Sequence, residues 1–239
     1  MSLKRHIPNS ITSMNLLAGA MGVVFTMQGR LEVAFPLMLA AAVCDFCDGL
    51  AARLLGAYSP IGKELDSLAD VVSFGLLPSL MLLETMQLHG AGGWVSYIPL
   101  FLAVMSALRL AKFNVDERQG TDFIGVATPT AAMICGSLTY FIAVSPGTFL
   151  DGWAGSPWFL PVVAVVLGLL LVSEIPMFGM KVGKGHKLLD TKRLVFLCAA
   201  LAALVAVPAL GLNWSLAILC IFVFYILENL ILSAFPSRS

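Results

Sequence analysis

The chain has 239 residues, of which 59% are hydrophobic and only 12% are charged, and its formal net charge at pH 7 is zero. This composition excludes an ordinary soluble domain and predicts an integral membrane protein. No basic stripe with interleaved aromatic residues is present, so nucleic acid is not an expected partner.

Eight apolar stretches are long enough to span a bilayer, because about 20 helical residues cross a hydrocarbon core of about 30 Å. In chain order they are residues 9–28, 32–55, 63–86, 94–114, 126–145, 157–177, 192–211 and 213–234. We therefore predict an all-α, polytopic helical bundle of eight transmembrane helices, organised as a single membrane domain over residues 1–239.

The basic residues predict the orientation of the bundle. If the N-terminus is cytoplasmic, every one of the 14 lysines and arginines except Arg30 falls on the cytoplasmic side or at a cytoplasmic helix end. Such an asymmetry is typical of the positive-inside rule. Both termini, and the loop between the second and third helices, are predicted to face the cytoplasm.

Four aspartates interrupt the second and third apolar stretches. They form the pattern Asp45-x2-Asp48-Gly49-x2-Ala52-Arg53-x8-Gly62-x3-Asp66-x3-Asp70. Steps of three and four residues place side chains on one helix face, so two pairs are expected, one on each helix. The segment 56–62 is rich in turn residues and should fold the helices against each other, which brings the two pairs together.

Ionisable groups inside a membrane are costly and mark functional sites. Structural ion pairing is the alternative, but only Arg53 and Lys63 lie close in sequence, too few to neutralise four acids. Hard oxygen ligands without a soft donor favour Mg²⁺, Mn²⁺ or Ca²⁺, and two divalent ions would balance four carboxylates. Two metals beside an arginine indicate phosphoryl chemistry.

The aspartate pattern resembles the signature of the CDP-alcohol phosphotransferase family. Four further segments resemble its phosphatidylserine synthase branch: IPNSITSMN at 7–15, GKELDSLADVVSFG at 62–75, LRLAKFN at 108–114 and GVATPTAA at 125–132. The resemblance is dense over about residues 6–135. It implies a catalytic core over residues 6–145, followed by additional transmembrane helices over 146–239.

The resemblance implies transfer of the phosphatidyl group of CDP-diacylglycerol to L-serine, giving phosphatidylserine and CMP. Asp45, Asp48, Asp66 and Asp70 would hold two divalent ions, Mg²⁺ or Mn²⁺, and Asp70 would also be the catalytic base. The nucleotide and diphosphate would lie against Asn9, Thr12, Gly49, Ala52, Arg53 and Gly62. The resemblance further implies a homodimer in the cell (inner) membrane, with its active site facing the cytoplasm.

A serine acceptor carries a carboxylate that needs a cation within reach of the metals. Arg109 is the first candidate for that role and Lys63 the second, and Ser67 could add a hydroxyl contact. Arg109 could instead snorkel to the interface, as long cationic side chains at helix ends commonly do.

Other functions remain open at this point. Within the family, the acceptor could be glycerol phosphate, inositol phosphate or another small alcohol, and the donor could be an ether lipid. A cation transporter is an alternative from a different class, because transporters also place acids in broken helices.

Overall fold

The computed structural model describes residues 6–116, 123–178 and 191–234, and these form an almost entirely helical bundle. The helices are α1 His6–Thr26, α2 Leu31–Leu55, α3 Pro60–Asp70, α4 Leu77–Leu88, α5 Leu100–Val115, α6 Thr128–Val144, α7 Phe149–Ala154, α8 Phe159–Val172, α9 Thr191–Ala209 and α10 Trp214–Ala234. A π-helical segment, Val71–Leu76, joins α3 to α4 without a break, and a short 3₁₀ turn, Trp94–Tyr97, precedes α5.

Four helical segments are long and apolar enough to cross a membrane: Leu31–Leu55, Pro60–Leu88, Trp94–Val115 and Trp214–Ala234. Three shorter apolar helices accompany them, at Thr128–Val144, Phe159–Val172 and Arg193–Ala209. The all-α membrane architecture is therefore confirmed. The number of eight spans and the cytoplasmic position of both termini stay predictions.

The turn between α2 and α3 has the chemistry that its sequence predicts. Gly56 ends α2 with a left-handed backbone, at φ +58°. The Ser59 hydroxyl then accepts a hydrogen bond from the Gly62 N–H, and Pro60 occupies the first turn of α3. A side-chain N-cap followed by proline is a favourable helix start, so α3 begins at Pro60, three residues before the predicted boundary.

The predicted span 157–177 is too long at its C-terminal end. Helix α8 ends at Val172, and Pro176–Met177 forms a strand, β2, that pairs antiparallel with β1, Phe123–Ile124. The residue before a proline is disfavoured in the α region, so the helix could not continue through Pro176. This two-residue pairing ties the start of α6 to the end of α8.

Two apolar clusters hold the bundle together. The first, called here the N-terminal cluster, is centred on Phe35, Met38, Phe74 and Met81, where α1, α2 and α4 meet. The second, the central cluster, surrounds Phe141 of α6 and extends into α4, α5, α8 and α10. Helix α9 lies at the edge, against α10.

Candidate active site

The acidic residues of α2 and α3 meet inside the bundle. Carboxylate oxygens of Asp45, Asp48 and Asp66 all lie within 4.8 Å of one another. The turn at 56–62 therefore does bring the two acidic helix faces together. Asp70 lies one turn further along α3, and its Oδ1 accepts a hydrogen bond of 3.3 Å from the Nδ2 of Asn15 on α1.

The three clustered acids fit a hard divalent cation. Asp48 Oδ2 and Asp66 Oδ1 are buried and have no hydrogen-bond partner within the described parts of the chain. Buried anionic oxygens without partners are costly, and like charges at this spacing repel. A cation coordinated by these oxygens removes both costs, and oxygen-only ligands are those of Mg²⁺ and Mn²⁺.

A cavity of about 480 Å³ opens beside the acids. Its walls come from the first three helices and the turn between α2 and α3, and they include Pro8, Asn9, Thr12, Asp48, Gly49, Ala52, Tyr58, Gly62, Lys63 and Asp66. Five of the six residues expected to contact a nucleotide diphosphate thus line one cavity. The sixth, Arg53, lies outside the lining and donates its Nε–H to the carbonyl of Gly49 at 3.0 Å.

Gly62 lies where α1 packs closely against α3. A Cβ atom at this position would lie 2.9 Å from the Oδ1 of Asn9 and 2.9 Å from the Oγ of Ser59. Glycine therefore lets Asn9 approach the first turn of α3 at the cavity wall. At Gly49, by contrast, a Cβ would meet nothing within 4 Å, so its backbone faces open space.

The three candidates for serine binding occupy different places. Lys63 lines the cavity, and its Nζ donates to the carbonyl of Asn114 at 2.9 Å. Ser67 accepts a hydrogen bond of 2.8 Å from the Asn114 side chain. Arg109 does not line this cavity.

Arg109 does not snorkel to the interface. Its side chain is only 8% exposed, and its Nη1 donates to Thr128 Oγ1 at 3.1 Å. The guanidinium lies over the Phe113 ring, and its buried Nε–H has no partner within residues 6–116, 123–178 and 191–234. Lys112, by contrast, is half-exposed and forms an ion pair of 3.8 Å with the exposed Glu174.

Sequence reasoning did not predict three of these contacts: Asn15 with Asp70, Asn114 with Lys63, and Asn114 with Ser67. Asn15 continues the three-residue spacing of Asn9 and Thr12 and falls inside an apolar span, where an amide needs a partner. That signal pointed to a buried contact without revealing which group it reaches.

The sequence model of the CDP-alcohol phosphatidyltransferase family matches residues 5–172 of this chain. The chain belongs to this family. The match contains every residue of the acid cluster and of the cavity wall, and it ends with α8. Helices α9 and α10 lie beyond it, and the boundary of the catalytic core at residue 145 stays a prediction.

Similar members of the family carry one name, CDP-diacylglycerol–serine O-phosphatidyltransferase. The protein of Mycobacterium leprae is 37% identical over 179 residues, 72% of this chain and 57% of its own length. The Bacillus subtilis protein is 34% identical over 172 residues, covering 71% and 88%. The Helicobacter pylori strain 26695 protein is 31% identical over 192 residues, covering 80% and 79%. This chain thus spans little more than half of the mycobacterial relative.

Proposed function

We propose that this chain transfers the phosphatidyl group of CDP-diacylglycerol to L-serine and releases CMP. The observation that carries the proposal is the convergence of Asp45, Asp48 and Asp66 beside a 480 Å³ cavity lined by α1, α2 and α3. The names of the relatives support the same donor and acceptor.

Asp45, Asp48 and Asp66 would hold Mg²⁺ or Mn²⁺, with Asp70 completing a site for two ions. Bound divalent ions would supply positive charge to the diphosphate and to the leaving CMP. Asn9, Thr12, Gly49, Ala52 and Gly62 would bind the nucleotide part of the donor along the cavity wall. Arg53 at the end of α2 would fork onto phosphate oxygens, which requires its Nε–H to leave Gly49.

Asp70 would act as the general base. The serine Oγ forms a bond to the phosphorus that carries the diacylglycerol, while the bond from that phosphorus to the bridging diphosphate oxygen breaks. The hydroxyl proton passes to Asp70, and CMP leaves with the bridging oxygen. Asp70 suits this role because it is buried next to the three clustered acids, on the same face of α3 as Asp66.

Arg109 would bind the serine carboxylate. Its unpartnered, buried Nε–H and its fixed guanidinium plane favour bidentate recognition of a carboxylate. Lys63 and Ser67 would contribute from the α3 side, where Asn114 joins them.

The test of this function is product formation with a panel of labelled alcohols. The purified chain would receive CDP-diacylglycerol, Mn²⁺ or Mg²⁺, and either serine, glycerol phosphate or inositol phosphate. We expect phosphatidylserine and CMP in equal amounts from serine alone. Product from a phosphorylated acceptor and none from serine would assign another transferase reaction of the same family. The same assay with a dialkyl donor separates ester from ether lipid.

We also propose that the active site faces the cytoplasm of the cell membrane and that the protein is a homodimer. In a variant without its native cysteines, a membrane-impermeant thiol reagent should label H89C in intact cells. It should label G185C, whose position lies outside the described residues, only after permeabilisation. The reverse pattern would invert the orientation.

The dimer is tested by chemical cross-linking in native membranes, which should give a species of twice the chain mass. A single monomer band would contradict the dimer.

A further inference from the structure

Asn15 of α1 contacts the segment that carries the proposed base at two points. Its side-chain Nδ2 donates to Asp70 Oδ1 at 3.3 Å, and its backbone carbonyl accepts a hydrogen bond of 3.1 Å from Ser73 Oγ. Asn15 and Ser73 are both completely buried. The two hydrogen bonds therefore fix α1 to the junction at which α3 ends and the π-helical segment begins.

Helix α1 packs very closely against this junction. A Cβ atom at Gly19, one turn along α1, would lie 2.2 Å from Ser73 Oγ and 2.9 Å from the Ser73 Cα. Only glycine allows α1 to approach the π-helical segment so closely. The main chain of α1 is thus held against the residues that follow Asp70, and the Asn15 amide is directed at the carboxylate.

Structural stabilisation alone does not explain an amide at this position. The Asn15 Oδ1 is buried and has no hydrogen-bond partner within the described residues, so part of its desolvation cost is not recovered. Buried hydroxyls elsewhere on α1, such as Thr26, bond to a carbonyl of their own helix instead. The Asn15 amide reaches across to the Asp70 carboxylate of α3.

We propose that Asn15 is a positioning residue for Asp70, an inference that rests on the proposed role of Asp70 as general base. The Nδ2–H holds Oδ1 of the carboxylate and leaves Oδ2 to be shared between the bound cation and the acceptor hydroxyl. During transfer the proton moves from that hydroxyl to Asp70, and Asn15 gains and loses none. Correct placement of a catalytic group is needed mainly in the transition state, so loss of Asn15 lowers kcat more than it raises KM.

The experiment is a double-mutant cycle on the 239-residue chain in detergent micelles. Asn15→Leu should lower kcat by roughly ten- to a hundredfold, the range for one hydrogen bond to a charged group. The KM for CDP-diacylglycerol should stay within about twofold of native. In the Asp70→Asn background, Asn15→Leu should lower kcat by less than about threefold, because the carboxylate that Asn15 contacts is already gone.

Thr26→Val is the matched control. It removes a buried polar group from the same helix, bonded only to Gly22, and should leave kcat unchanged. Asn15→Ala is the second variant if leucine does not fit, and thermal unfolding identifies the variant that folds. Equal losses from Asn15→Leu with and without Asp70 would overturn the proposal. A loss confined to the KM for CDP-diacylglycerol would overturn it as well, because Asn15 would then be a contact of the donor.

The acceptor in the cycle is whichever alcohol the native protein uses best. If that alcohol is not serine, the proposed function fails while the cycle can still be completed. If it is serine and the cycle is additive, only the positioning role fails.

Discussion

Polar side chains have different partners in the two halves of this bundle. One half is the central cluster around α6, and the other, called here the acidic half, consists of α1, α2 and α3. In α6, at the central cluster, the hydroxyls of Ser137 and Thr139 bond to carbonyls of their own helix, at 2.5 and 2.9 Å. On α1, hydroxyls such as that of Thr12 also bond within their own helix, but the Asn15 amide reaches across to Asp70 of α3. In the acidic half, Asp48 and Asp66 also keep buried oxygens without a partner in the described residues.

The difference indicates which half of the molecule is built for a ligand. A hydroxyl that bonds within its own helix needs nothing else, so Ser137 and Thr139 need no ligand. Unpartnered carboxylate oxygens in a low-dielectric interior are unfavourable until a ligand arrives. Substitutions in the acidic half should therefore change activity, and substitutions in the central cluster should change stability.

The largest effect on activity is expected from Asp48→Asn, which removes a charge from the acid cluster. Transfer of the phosphatidyl group should fall to background, and excess chelator should do the same to the native protein, because neither retains the bound cations. Titration calorimetry with Mn²⁺ should show heat with the native protein and little with the variant. Normal turnover in chelator would remove metal from the mechanism.

The counterpart in the central cluster is Phe141→Ala. Loss of this fully buried ring should lower the free energy of unfolding by roughly 3–5 kcal/mol and leave the KM for CDP-diacylglycerol near native. Thermal unfolding in detergent measures the first and initial rates measure the second. If Phe141→Ala lowers activity in the folded protein as Asp48→Asn does, the division between the halves is not functional.

Asp70→Asn should separate chemistry from binding within the acidic half. We expect turnover to fall by roughly 10²–10⁴-fold, the range for loss of a general base, with donor affinity little changed. Single-turnover rates and equilibrium binding of CDP-diacylglycerol give the two quantities independently. Parallel losses of both would make Asp70 chiefly a metal ligand.

Arg109 lies on α5, between the two halves, and Arg109→Lys tests whether it binds the serine carboxylate. Lysine keeps the charge and loses the planar fork, so the KM for serine should rise by roughly ten- to a hundredfold while that for CDP-diacylglycerol hardly changes. Serinamide, which lacks the carboxylate, should be a poor acceptor for both proteins. If Arg109→Lys instead weakens the binding of CDP-diacylglycerol, Lys63 becomes the better candidate for the serine contact.

The smallest effect is expected at His89, which pairs with Asp151 between the end of α4 and α7. The His89 Nε2 lies 2.8 Å from Asp151 Oδ1, and its Nδ1 donates to the Thr85 carbonyl at 2.8 Å. Partial burial lowers the pKa of His89, but these two hydrogen bonds outweigh burial and raise it above the usual 6.5. The hydrogen bond from His89 in turn lowers the pKa of Asp151 below 3.8.

The histidine stabilises the fold fully below its unfolded-state pKa, and the contribution fades as pH rises through the raised value. The aspartate contributes above its own unfolded-state pKa and loses this as pH falls through the lowered value. His89→Gln should therefore destabilise most between about pH 4 and 6.5, by less than about 1 kcal/mol, and least near pH 9. Melting temperatures of the native protein and the variant across that range measure this loss of stability. A difference between the two that does not change with pH would contradict the ion pair.

The acidic half was largely predictable from sequence, since i, i+3 and i, i+4 spacing and the turn residues at 56–62 placed Asp45, Asp48 and Asp66 on facing helices. Spacing could not predict contacts between distant segments. The pairs Asn15 with Asp70 and Lys63 with Asn114 depend on how helices pack, and that packing depends on glycines such as Gly19. The short helix α7 and the pairing of β1 with β2 also escaped prediction, because segments of two to six residues carry too little periodicity.

The π-helical segment Val71–Leu76 lies inside one uninterrupted helical span from Pro60 to Leu88. In a continuous α-helix, seven residues make nearly two turns, so Leu77 would project from the same side as Asp70. In this structure both residues do face α1, because Asp70 contacts Asn15 and a Cβ at Gly22 would lie 2.6 Å from Leu77 Cδ2. One uninterrupted helix can thus present Asp66 and Asp70 to the acid cluster and Leu77 and Met81 to the N-terminal cluster.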